Sequence, residues 1–382
     1  KMCMLCRKFS QKQGSRMRAY LDIAERVARI LRYSHTVPGR KLTADIIINV
    51  RAGALAHRGR FKRVRRIFAE FTAGIEGAQR DGEALVVHYH FTQYHGHARE
   101  IARRILLANV DPDRQRVIVS LGGDGTHGEI LSVLSSAAPA VQARTTVFRL
   151  PLGSGNDGAD SPDLATALRV MLSGRTVSGI PFVRLETARG RSFHAFNIVS
   201  VGIDAFVTDV SARLKRLLPG NIYRIAAATS AALYQVLLHP REMTAEFGRA
   251  DGAPVPRAGR FVLLAVGPSG PRTYGNGMRI LPGDDNVCLV HRLSTVQIMT
   301  LKSSMYRGEH VDLPVVETFD SADITIRYDG RLPLQADGEP VWLEADDFPL
   351  RMSRGWSELK APDVELSLGR VAMPAAAAQA KS

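Results

Sequence analysis

Apolar runs and longer amphipathic segments alternate along the chain between residues 42 and 181. The apolar runs predict buried strands at 46–50, 84–89, 117–121 and 146–150. Between them, apolar residues recur at helical spacing and predict helices at 60–79, 96–108, 128–135 and 163–173. Strands that alternate with helices are typical of a parallel sheet with crossover helices. We therefore predict a Rossmann-like α/β domain over residues 42–181.

The pattern changes at about residue 182, where short strand-like segments follow one another. Clusters of Gly, Pro and Asp separate these segments, which lie at 183–187, 192–199, 261–266, 287–293, 324–328 and 341–344. One longer stretch predicts a helix over 223–239, because Pro240 then ends it. We predict a β-rich second domain over residues 182–355, built as a β-sandwich with one or two helices.

The two ends of the chain fall outside this pattern. Residues 1–41 form a basic extension, in which apolar residues recur at helical spacing among arginines from residue 15 to residue 33. Such a helix can lie in a membrane interface or pack against the α/β domain, and the sequence leaves both open. Residues 356–382 are predicted to be a C-terminal segment with a disordered, alanine-rich tail.

Two glycine-rich stretches follow the third and fourth predicted strands. They read Gly122-Gly123-Asp124-Gly125-Thr126 and Gly153-Ser154-Gly155-Asn156-Asp157. Glycines let a phosphate approach the backbone, and amides at the start of the next helix attract an anion. An aspartate beside a triphosphate is unfavourable unless a divalent cation or a proton mediates, which suggests phosphate with magnesium. The alternative is that both stretches are tight turns without a ligand. Neither stretch matches the P-loop motif or the GxGxxG motif.

These stretches resemble the catalytic domain of the diacylglycerol kinase family, which includes bacterial lipid kinases, sphingosine kinases and ceramide kinases. Residues 49–53 resemble the family's first nucleotide loop, and residues 92–100 resemble its Thr-x-x-x-Gly-His-Ala-x-Glu turn. Asp337-Gly338-Glu339 falls where the second domain of the family is expected to place such a turn. The resemblance spans about residues 42–355 and implies an NAD kinase/phosphofructokinase-like domain followed by a β-sandwich.

The resemblance implies an ATP-dependent lipid kinase that transfers the γ-phosphoryl group to a hydroxyl of diacylglycerol or a related lipid. Predicted nucleotide-binding residues are Asn49, Thr92, Gly122, Gly123, Gly125, Thr126, Glu129, Gly153, Ser154, Gly155, Asn156 and Asp157. Predicted Mg²⁺-binding residues are Asp124, Asp284 and Asp285. Phosphoryl transfer also needs a group that accepts the proton of the acceptor hydroxyl. We assign that role to Glu339, with Asp337 as its partner or as the base itself, and with Asp124 completing the catalytic set.

Three positions depart from the family pattern. Gly128 stands where asparagine is usual, Gly158 stands where an aromatic residue is usual, and Cys288 stands where the metal-binding segment has its second aspartate. Two alternatives stand beside the lipid kinase. One is a soluble-substrate kinase of the NAD kinase-like superfamily, because NAD kinases and phosphofructokinases share the Gly-Gly-Asp-Gly core. The other is a catalytically silent relative that binds nucleotide or membrane, which the lost aromatic residue and aspartate favour.

Composition bears on the partners. The chain has 382 residues, 45% of them apolar, and a net charge of +14 from 51 Lys and Arg against 37 Asp and Glu. That charge predicts an anionic partner. No nucleic-acid-binding motif directs it, so we expect an anionic membrane surface and a lipid substrate there, rather than nucleic acid. We expect a cytoplasmic protein with peripheral membrane association, and the sequence leaves a homodimer open.

Four histidines, His88, His90, His95 and His97, alternate along one short segment. A metal site is one interpretation, because imidazole is a common zinc ligand. No carboxylate or cysteine lies at ligand spacing from them in the sequence, which favours structural roles.

Overall fold

The computed structural model describes residues 4–37, 41–75, 84–108, 111, 113–153, 156, 161, 163–217, 234, 241–249, 252–275 and 277–363. The predicted helix over 223–239 lies outside these residues apart from Tyr234, and the predicted tail beyond 363 lies outside them altogether. No helix within the described ranges is long and apolar enough to cross a membrane.

The first domain is built on one six-stranded sheet. Its strand order is β2-β1-β3-β4-β20-β5, with β1 parallel to both β2 and β3 and with β4 parallel to both β3 and β20. The strands are β1 (Leu42–Ile48), β2 (Leu85–Phe91), β3 (Gln115–Gly122), β4 (Thr145–Pro151), β5 (Arg175–Ser178) and β20 (Lys360–Asp363). Strands β1, β3 and β4 are almost wholly buried, as expected for a parallel sheet covered on both faces.

Helices cover both faces of this sheet. They are α1 (Met4–Tyr33), α2 (Gly53–Ala56), α3 (Arg58–Ala73), α4 (His97–Leu107), α5 (Asp124–Leu134), α6 (Pro139–Gln142) and α7 (Leu164–Ser173). One apolar core joins α1, α3 and α7 to the sheet, and a second core joins α4 and α5 to the other face. This three-layer arrangement is the predicted Rossmann-like domain.

Helix α1 belongs to the first core. The side chains of its apolar face are buried against the domain, namely Tyr20, Ile23, Ala24, Val27, Ile30 and Leu31. Arg16 also donates a hydrogen bond to the carbonyl oxygen of Ala56, at 2.7 Å. Of the two alternatives for this segment, packing against the α/β domain is the one that the described side chains adopt.

The second domain is an antiparallel β-sandwich, which confirms the predicted fold class. One sheet has the order β10-β9-β16-β19-β6-β7, and the other has the order β15-β14-β11-β8-β17-β18. The strands are β6 (Pro181–Glu186), β7 (Ser192–Ala195), β8 (Val199–Gly202), β9 (Met243–Arg249), β10 (Gly252–Gly259), β11 (Phe261–Val266), β12 (Arg272–Tyr274), β13 (Met278–Leu281), β14 (Val287–His291), β15 (Val316–Phe319), β16 (Asp323–Tyr328), β17 (Leu332–Ala336), β18 (Glu339–Leu343) and β19 (Leu350–Trp356).

Apolar side chains from both sheets form the core of the sandwich. The outer face of the second sheet carries a further core with α8 (Ile203–Leu217) and α9 (Thr295–Arg307). Two short 3₁₀ helices lie at Glu309–Asp312 and Ala345–Asp347.

Strand β20 connects the two domains. After β19 the chain returns to the first domain, where Lys360 pairs with Thr146 of β4 and residues Lys360–Asp363 pair with β5. The side chain of Leu359 is buried in the core beneath α4 and α5. The end of the described chain therefore joins the sandwich to the parallel sheet of the first domain.

Candidate active site

The two glycine-rich stretches meet at the carboxyl edge of the parallel sheet. Strands β3 and β4 are neighbours, and each stretch continues directly from the end of its strand. A Cβ atom added at Gly123 would lie 2.9 Å from the Cα of Gly153, and one added at Gly153 would lie 2.5 Å from the Cα of Gly123. Because no Cβ contact is that short, only glycine fits at both positions. The two glycines therefore let the loops pack against each other at the edge where open α/β sheets bind their ligands.

Helix α5 begins within the first glycine-rich stretch. The sequence predicts its start at Gly128, whereas the structure begins it at Asp124, with Gly123 in an extended conformation before it. Asp124 therefore occupies the first turn, where the positive end of the helix dipole stabilises a carboxylate. The amides of this turn face the same edge as the glycines.

Asn49, which directly follows β1, connects the loop of residues 49–53 to helix α5 by a hydrogen bond. Its Nδ2 donates to Oγ1 of Thr126 at 2.8 Å, and its Oδ1 accepts from the amide of Arg51 at 2.9 Å. Thr92 is buried at the end of β2, and its amide donates to the carbonyl oxygen of Ile48 at 3.0 Å. The predicted residues Asn49, Thr92 and Thr126 therefore lie along one edge.

In the second stretch the structure describes Gly153 and Asn156, whereas Ser154, Gly155 and Asp157 lie outside the described residues. Asn156 has a positive φ of 61°, and its Oδ1 accepts from the amide of Gly153 at 2.8 Å. This side chain holds Gly153 against Gly123. Its position therefore supports a role in shaping the loop.

Asp124 forms an ion pair with Arg149 of β4. The Arg149 side chain is only 4% exposed, and its Nε is buried without a hydrogen-bond partner among the described residues. His127 lies beside this pair and makes a 3.0 Å hydrogen bond between its Nδ1 and Oγ of Ser120. Burial, and secondly the charge of Arg149, hold the pKa of His127 well below its ordinary value. A fixed cation therefore lies directly behind the aspartate of the glycine-rich stretch.

Glu129, a predicted nucleotide-binding residue, caps helix α4. Its two carboxylate oxygens accept from the amides of Gly96 and Arg99, at 2.9 and 3.3 Å. The side chain is 8% exposed, and His95 lies 3.4 Å from it. The structure thus gives Glu129 a positioning role for the turn between β2 and α4.

The second domain brings its Asp337–Glu339 turn to the same edge. A Cβ at Gly125 would lie 3.6 Å from Oε1 of Glu339, and one at Gly128 would lie 3.9 Å from Oδ2 of Asp337. His95 of the first domain lies 3.3 Å from Oε2 of Glu339. The turn between β17 and β18 therefore lies close to the first two turns of α5, and this junction of the two domains is called the cleft.

The two carboxylates of this turn have different surroundings. Oδ1 of Asp337 accepts from the amides of Asn197 and Ile198 at 2.8 and 2.9 Å, and its Oδ2 accepts from the amide of Phe196 at 2.7 Å. Desolvation raises the pKa of Asp337, although these three amides favour the charged form. The Glu339 side chain is 44% exposed and lies in the cleft. Asp337 holds the domain's own backbone, whereas Glu339 is accessible to a ligand.

A polar network supports the turn from behind. Nε2 of Gln335 donates to Oγ of Ser200 at 2.9 Å and to Oδ2 of Asp204 at 3.2 Å, while its Oε1 accepts from the amide of Gly338 at 2.7 Å. Desolvation raises the pKa of Asp204 to about 6, and the hydrogen bonds from Ser200 and Gln335 partly offset that rise. Asp204 therefore titrates near neutral pH just behind the turn that bears Glu339.

The other two predicted Mg²⁺-binding residues, Asp284 and Asp285, belong to a turn of the second domain. Asp284 and Asp285 lie in the turn between β13 and β14, and a Cβ at Gly270 would lie 2.7 Å from the carbonyl oxygen of Asp285. Cys288 is buried in β14, and burial raises the pKa of its thiol to about 12. The described part of the chain contains no group of three or more His, Cys, Asp or Glu that could hold a metal by itself.

Three residues of the site were not assigned from sequence: Arg149, His95 and Asp204. Arg149 is the charged member of an otherwise apolar strand, and that position was the available indication. His95 falls in the histidine series and in the turn of residues 92–100, and neither pattern indicates a contact with the second domain. Their roles depend on contacts between segments 25 to 244 positions apart in the chain (Asp124 to Arg149, His95 to Glu339), which a single sequence does not display.

The fold and this cleft define a two-domain protein of the kinase type, with a nucleotide-type sheet and a β-sandwich. Residues 43–178 match the diacylglycerol kinase catalytic domain, and residues 197–351 match the YegS C-terminal NAD kinase beta sandwich-like domain. The two matches together span most of the chain, and they identify a diacylglycerol kinase catalytic domain followed by a YegS-type C-terminal domain.

Relatives are described as lipid kinases, and a solved structure has the same fold. The chain is 25% identical over 257 residues to a "Probable lipid kinase YegS-like" of Stenotrophomonas maltophilia, covering 64% of this chain and 79% of the relative. It is 24% identical to a protein of the same description from Xanthomonas euvesicatoria, covering 57% and 73% of the two chains. A putative diacylglycerol kinase of Bacillus anthracis has the same fold, with a TM-score of 0.55 at 15% identity over 86% of this chain and 97% of that one.

Proposed function

We propose that the protein is an ATP-dependent lipid kinase, which transfers the γ-phosphoryl group of ATP to a hydroxyl of diacylglycerol or a related lipid. One observation carries the proposal: Gly123 and Gly153 meet at the edge of the sheet, and Glu339 faces the adjoining turn of α5 from the other domain. Phosphoryl transfer requires a cradle for the phosphates and a positioned base for the acceptor, and this cleft has candidates for both.

The glycine edge would hold the nucleotide. Gly122, Gly123 and Gly125 carry no side chain that would keep phosphate oxygens from the start of α5, which adds its dipole. Gly153 contributes by close packing, because its own amide donates to Oδ1 of Asn156. Asn49 and Thr126 would fix the approach of the loops through their mutual hydrogen bond. We also propose that Ser154, Gly155 and Asp157 complete the second loop around the phosphates.

Asp124 is the carboxylate that would take part in binding Mg²⁺. Kinases bind this ion through one or two carboxylates together with substrate phosphates, so a group of three protein ligands is not required. The donor set at the edge of the sheet fits that arrangement, because Asp124 lies in the first turn of α5. When bound, Mg²⁺ would neutralise charge that develops on the phosphates. Asp284 and Asp285 stay candidates for a supporting role.

Glu339 is the better candidate for the base. A general base must reach the proton that it removes, and the exposed carboxylate of Glu339 lies in the cleft. Asp337 accepts hydrogen bonds from three amides, so its contribution would be to hold the turn. His95, at 3.3 Å from Glu339 and 3.4 Å from Glu129, would orient the base from the first domain.

A membrane surface would supply the acceptor. Helix α3 starts with exposed cations, and a crossover helix begins at the carboxyl edge of a parallel sheet, beside the cleft. The residues that form this surface are Arg58, Arg60, Lys62, Arg63 and Arg66. Lysine and arginine near an anionic bilayer contribute about 1 kcal/mol each to binding. We therefore propose peripheral association through this end of α3.

The ion pair between Arg149 and Asp124 favours a second candidate, a catalytically silent relative that binds nucleotide. A guanidinium on Asp124 competes for the carboxylate that the metal would use. Such a protein would bind ATP without transferring phosphate.

One assay distinguishes these functions. The full chain is incubated with γ-labelled ATP, magnesium and mixed micelles of diacylglycerol, sphingoid base or ceramide, with NAD as a soluble acceptor, and products are separated by thin-layer chromatography. We expect a labelled lipid. Label in NAD alone would establish the soluble-substrate kinase, and measurable ATP binding without any labelled product would establish the silent relative.

A further inference from the structure

A second polar cavity lies in the first domain, away from the cleft. It has a volume of about 220 Å³ and lies between the face of the parallel sheet and the C-terminal half of α4. Its polar lining includes Asp45 of β1, His88 and His90 of β2, Arg116 of β3 and Arg104 of α4. Arg116 is at the amino end of β3, whereas the glycine-rich stretch follows its carboxyl end. The cavity is therefore distinct from the candidate active site.

Arg116 carries an unsatisfied hydrogen-bond donor in the lining of this cavity. It is 6% exposed, and its Nε is buried without a hydrogen-bond partner among the described residues. A buried Nε–H without a partner is costly, because a charged group that loses hydration needs hydrogen bonds in return. Burial accordingly lowers the pKa of Arg116, while the charge of Asp45 partly opposes that effect. An anion in the cavity would relieve this cost.

Among the described residues, Asp45 contacts the two histidines and forms no ion pair with Arg116. Oδ1 of Asp45 lies 2.9 Å from Nε2 of His90 and 3.4 Å from Nδ1 of His88. Arg104 adds a second cation to the lining, and its Nη2 lies 3.3 Å from Nε2 of His97. Arg104 lies in the last turn of α4, where a cation interacts favourably with the helix dipole, so its presence is explained without a ligand. Arg116 has no such explanation and is therefore the stronger indication of a ligand.

We propose that this cavity binds a small phosphate group, as inorganic phosphate or as a phosphate monoester, with Arg116 and Arg104 as its cationic partners. Guanidinium groups pair with phosphate oxygens through parallel N–H donors, which matches the two arginines. The histidines supply further hydrogen-bonding groups at the same surface. A volume of about 220 Å³ is below the roughly 300–1,000 Å³ of pockets for drug-sized ligands, so the ligand is small.

A metal ion fits this cavity less well. Asp45, His88 and His90 converge, yet the described residues contain no group of His, Cys, Asp and Glu placed to hold a metal. Arg116 and Arg104 would also repel a cation. The proposal does not depend on the kinase activity, because it concerns a different part of the sheet.

Isothermal titration of the full chain with inorganic phosphate, and separately with glycerol 3-phosphate, tests the proposal. We expect saturable binding to the wild type, at least tenfold weaker binding to Arg116→Gln, and unchanged binding to Arg103→Gln. Arg103 is a matched control, because it is an exposed arginine of α4 outside the lining. If Arg116→Gln does not fold, the exposed Arg104→Gln replaces it, with an expected weakening of about threefold or more.

Gly123→Ala separates this site from the cleft, because it alters only the glycine edge. Phosphate binding that survives in Gly123→Ala and falls in the arginine variant supports the proposal. Absence of saturable binding, or binding that is lost in Gly123→Ala and kept in the arginine variant, overturns it.

Flotation with phosphatidylcholine vesicles containing phosphatidate identifies the source of the phosphate group. Weaker flotation of the arginine variant indicates a lipid headgroup, and unchanged flotation with weaker glycerol 3-phosphate binding indicates a free phosphate.

Discussion

The cleft has two walls that are built differently. The glycine wall, formed by Gly122, Gly123, Gly125 and Gly153, comes from the parallel sheet, and the carboxylate wall, formed by Asp337 and Glu339, comes from the sandwich. In the glycine wall, close backbone packing and the Arg149–Asp124 pair fix the parts before any ligand binds. In the carboxylate wall, both carboxylate oxygens of Asp337 accept hydrogen bonds from backbone amides, whereas the side chain of Glu339 is half-exposed.

This difference separates binding from chemistry. A rigid wall of backbone amides suits a triphosphate, whose charge is already present in the ground state. A single accessible carboxylate suits a proton that moves only during the reaction. Substitutions in the two walls are therefore expected to affect different measurements.

Glu339→Gln should lower kcat by about 100- to 10,000-fold, the range that general bases contribute. ATP affinity should stay within about twofold of wild type, because Glu339 does not belong to the glycine wall. Steady-state kinetics with labelled lipid and fluorescence titration with an ATP analogue give the two values. A variant with normal kcat would remove Glu339 from the reaction.

Asp337→Asn is the matched change in the same turn. It should lower the unfolding free energy by about 1–3 kcal/mol, because an amide nitrogen cannot accept from the backbone donors that the carboxylate satisfies. Denaturant melts report this loss. If Asp337→Asn abolished transfer without any loss of stability, the roles of the two carboxylates would be the reverse of those assigned here.

Gly123→Ala should weaken ATP binding at least tenfold, because its methyl group would meet the Cα of Gly153 at 2.9 Å and force the loops apart. Overpacking of this kind also costs about 1–3 kcal/mol of stability. Gly59→Ala is the control, since nothing lies within 4 Å of a Cβ at that exposed position of α3. Equal ATP affinity in the two variants would contradict the place given to the glycine wall.

Asp204→Asn tests the support behind the carboxylate wall through pH. The pKa of Asp204 is about 6 in the folded chain and 3.8 as its ordinary value, so its stabilising contribution is greatest at low pH and is lost as pH rises through 6. From pH 4.5 to 7 the wild type should lose about 2 kcal/mol relative to Asp204→Asn. Parallel denaturant melts at both pH values measure this difference, and a constant difference would mean that Asp204 titrates normally.

Arg149→Met should make ATP binding more dependent on magnesium, with the ratio of affinities in Mg²⁺ and in EDTA rising about fivefold. Without the guanidinium, Asp124 would repel the phosphates unless a divalent cation lies between them. Titration of the nucleotide under both conditions measures the ratio. An unchanged ratio would show that Arg149 acts on folding alone.

The sequence was informative where local chemistry determines structure. Strands β1 to β4 and helices α3, α4 and α7 follow from hydrophobic periodicity, and the two glycine-rich stretches predicted the edge where they meet. Glycine at 123 and 153 is required by the contact between the two loops, whereas the motifs alone indicated glycine for the approach of a phosphate.

Long-range contacts could not be predicted from the pattern. Strand β20 joins the first sheet after the entire second domain, and it is too short to stand out by periodicity. The partnership of Asp45 with His88 and His90 depends on the register of β1 against β2, which brings together residues more than forty positions apart. Arg149 and Asp204 likewise acquire their roles only through packing.

The most direct test of the two-wall account is a crystal structure of the full chain with a non-hydrolysable ATP analogue and magnesium. We predict that the phosphates lie on the amides around Gly123 and Gly153, with the γ-phosphate directed toward the open side of Glu339. Phosphates bound elsewhere, or a Glu339 carboxylate turned away from the γ-phosphate and replaced there by another base, would contradict it.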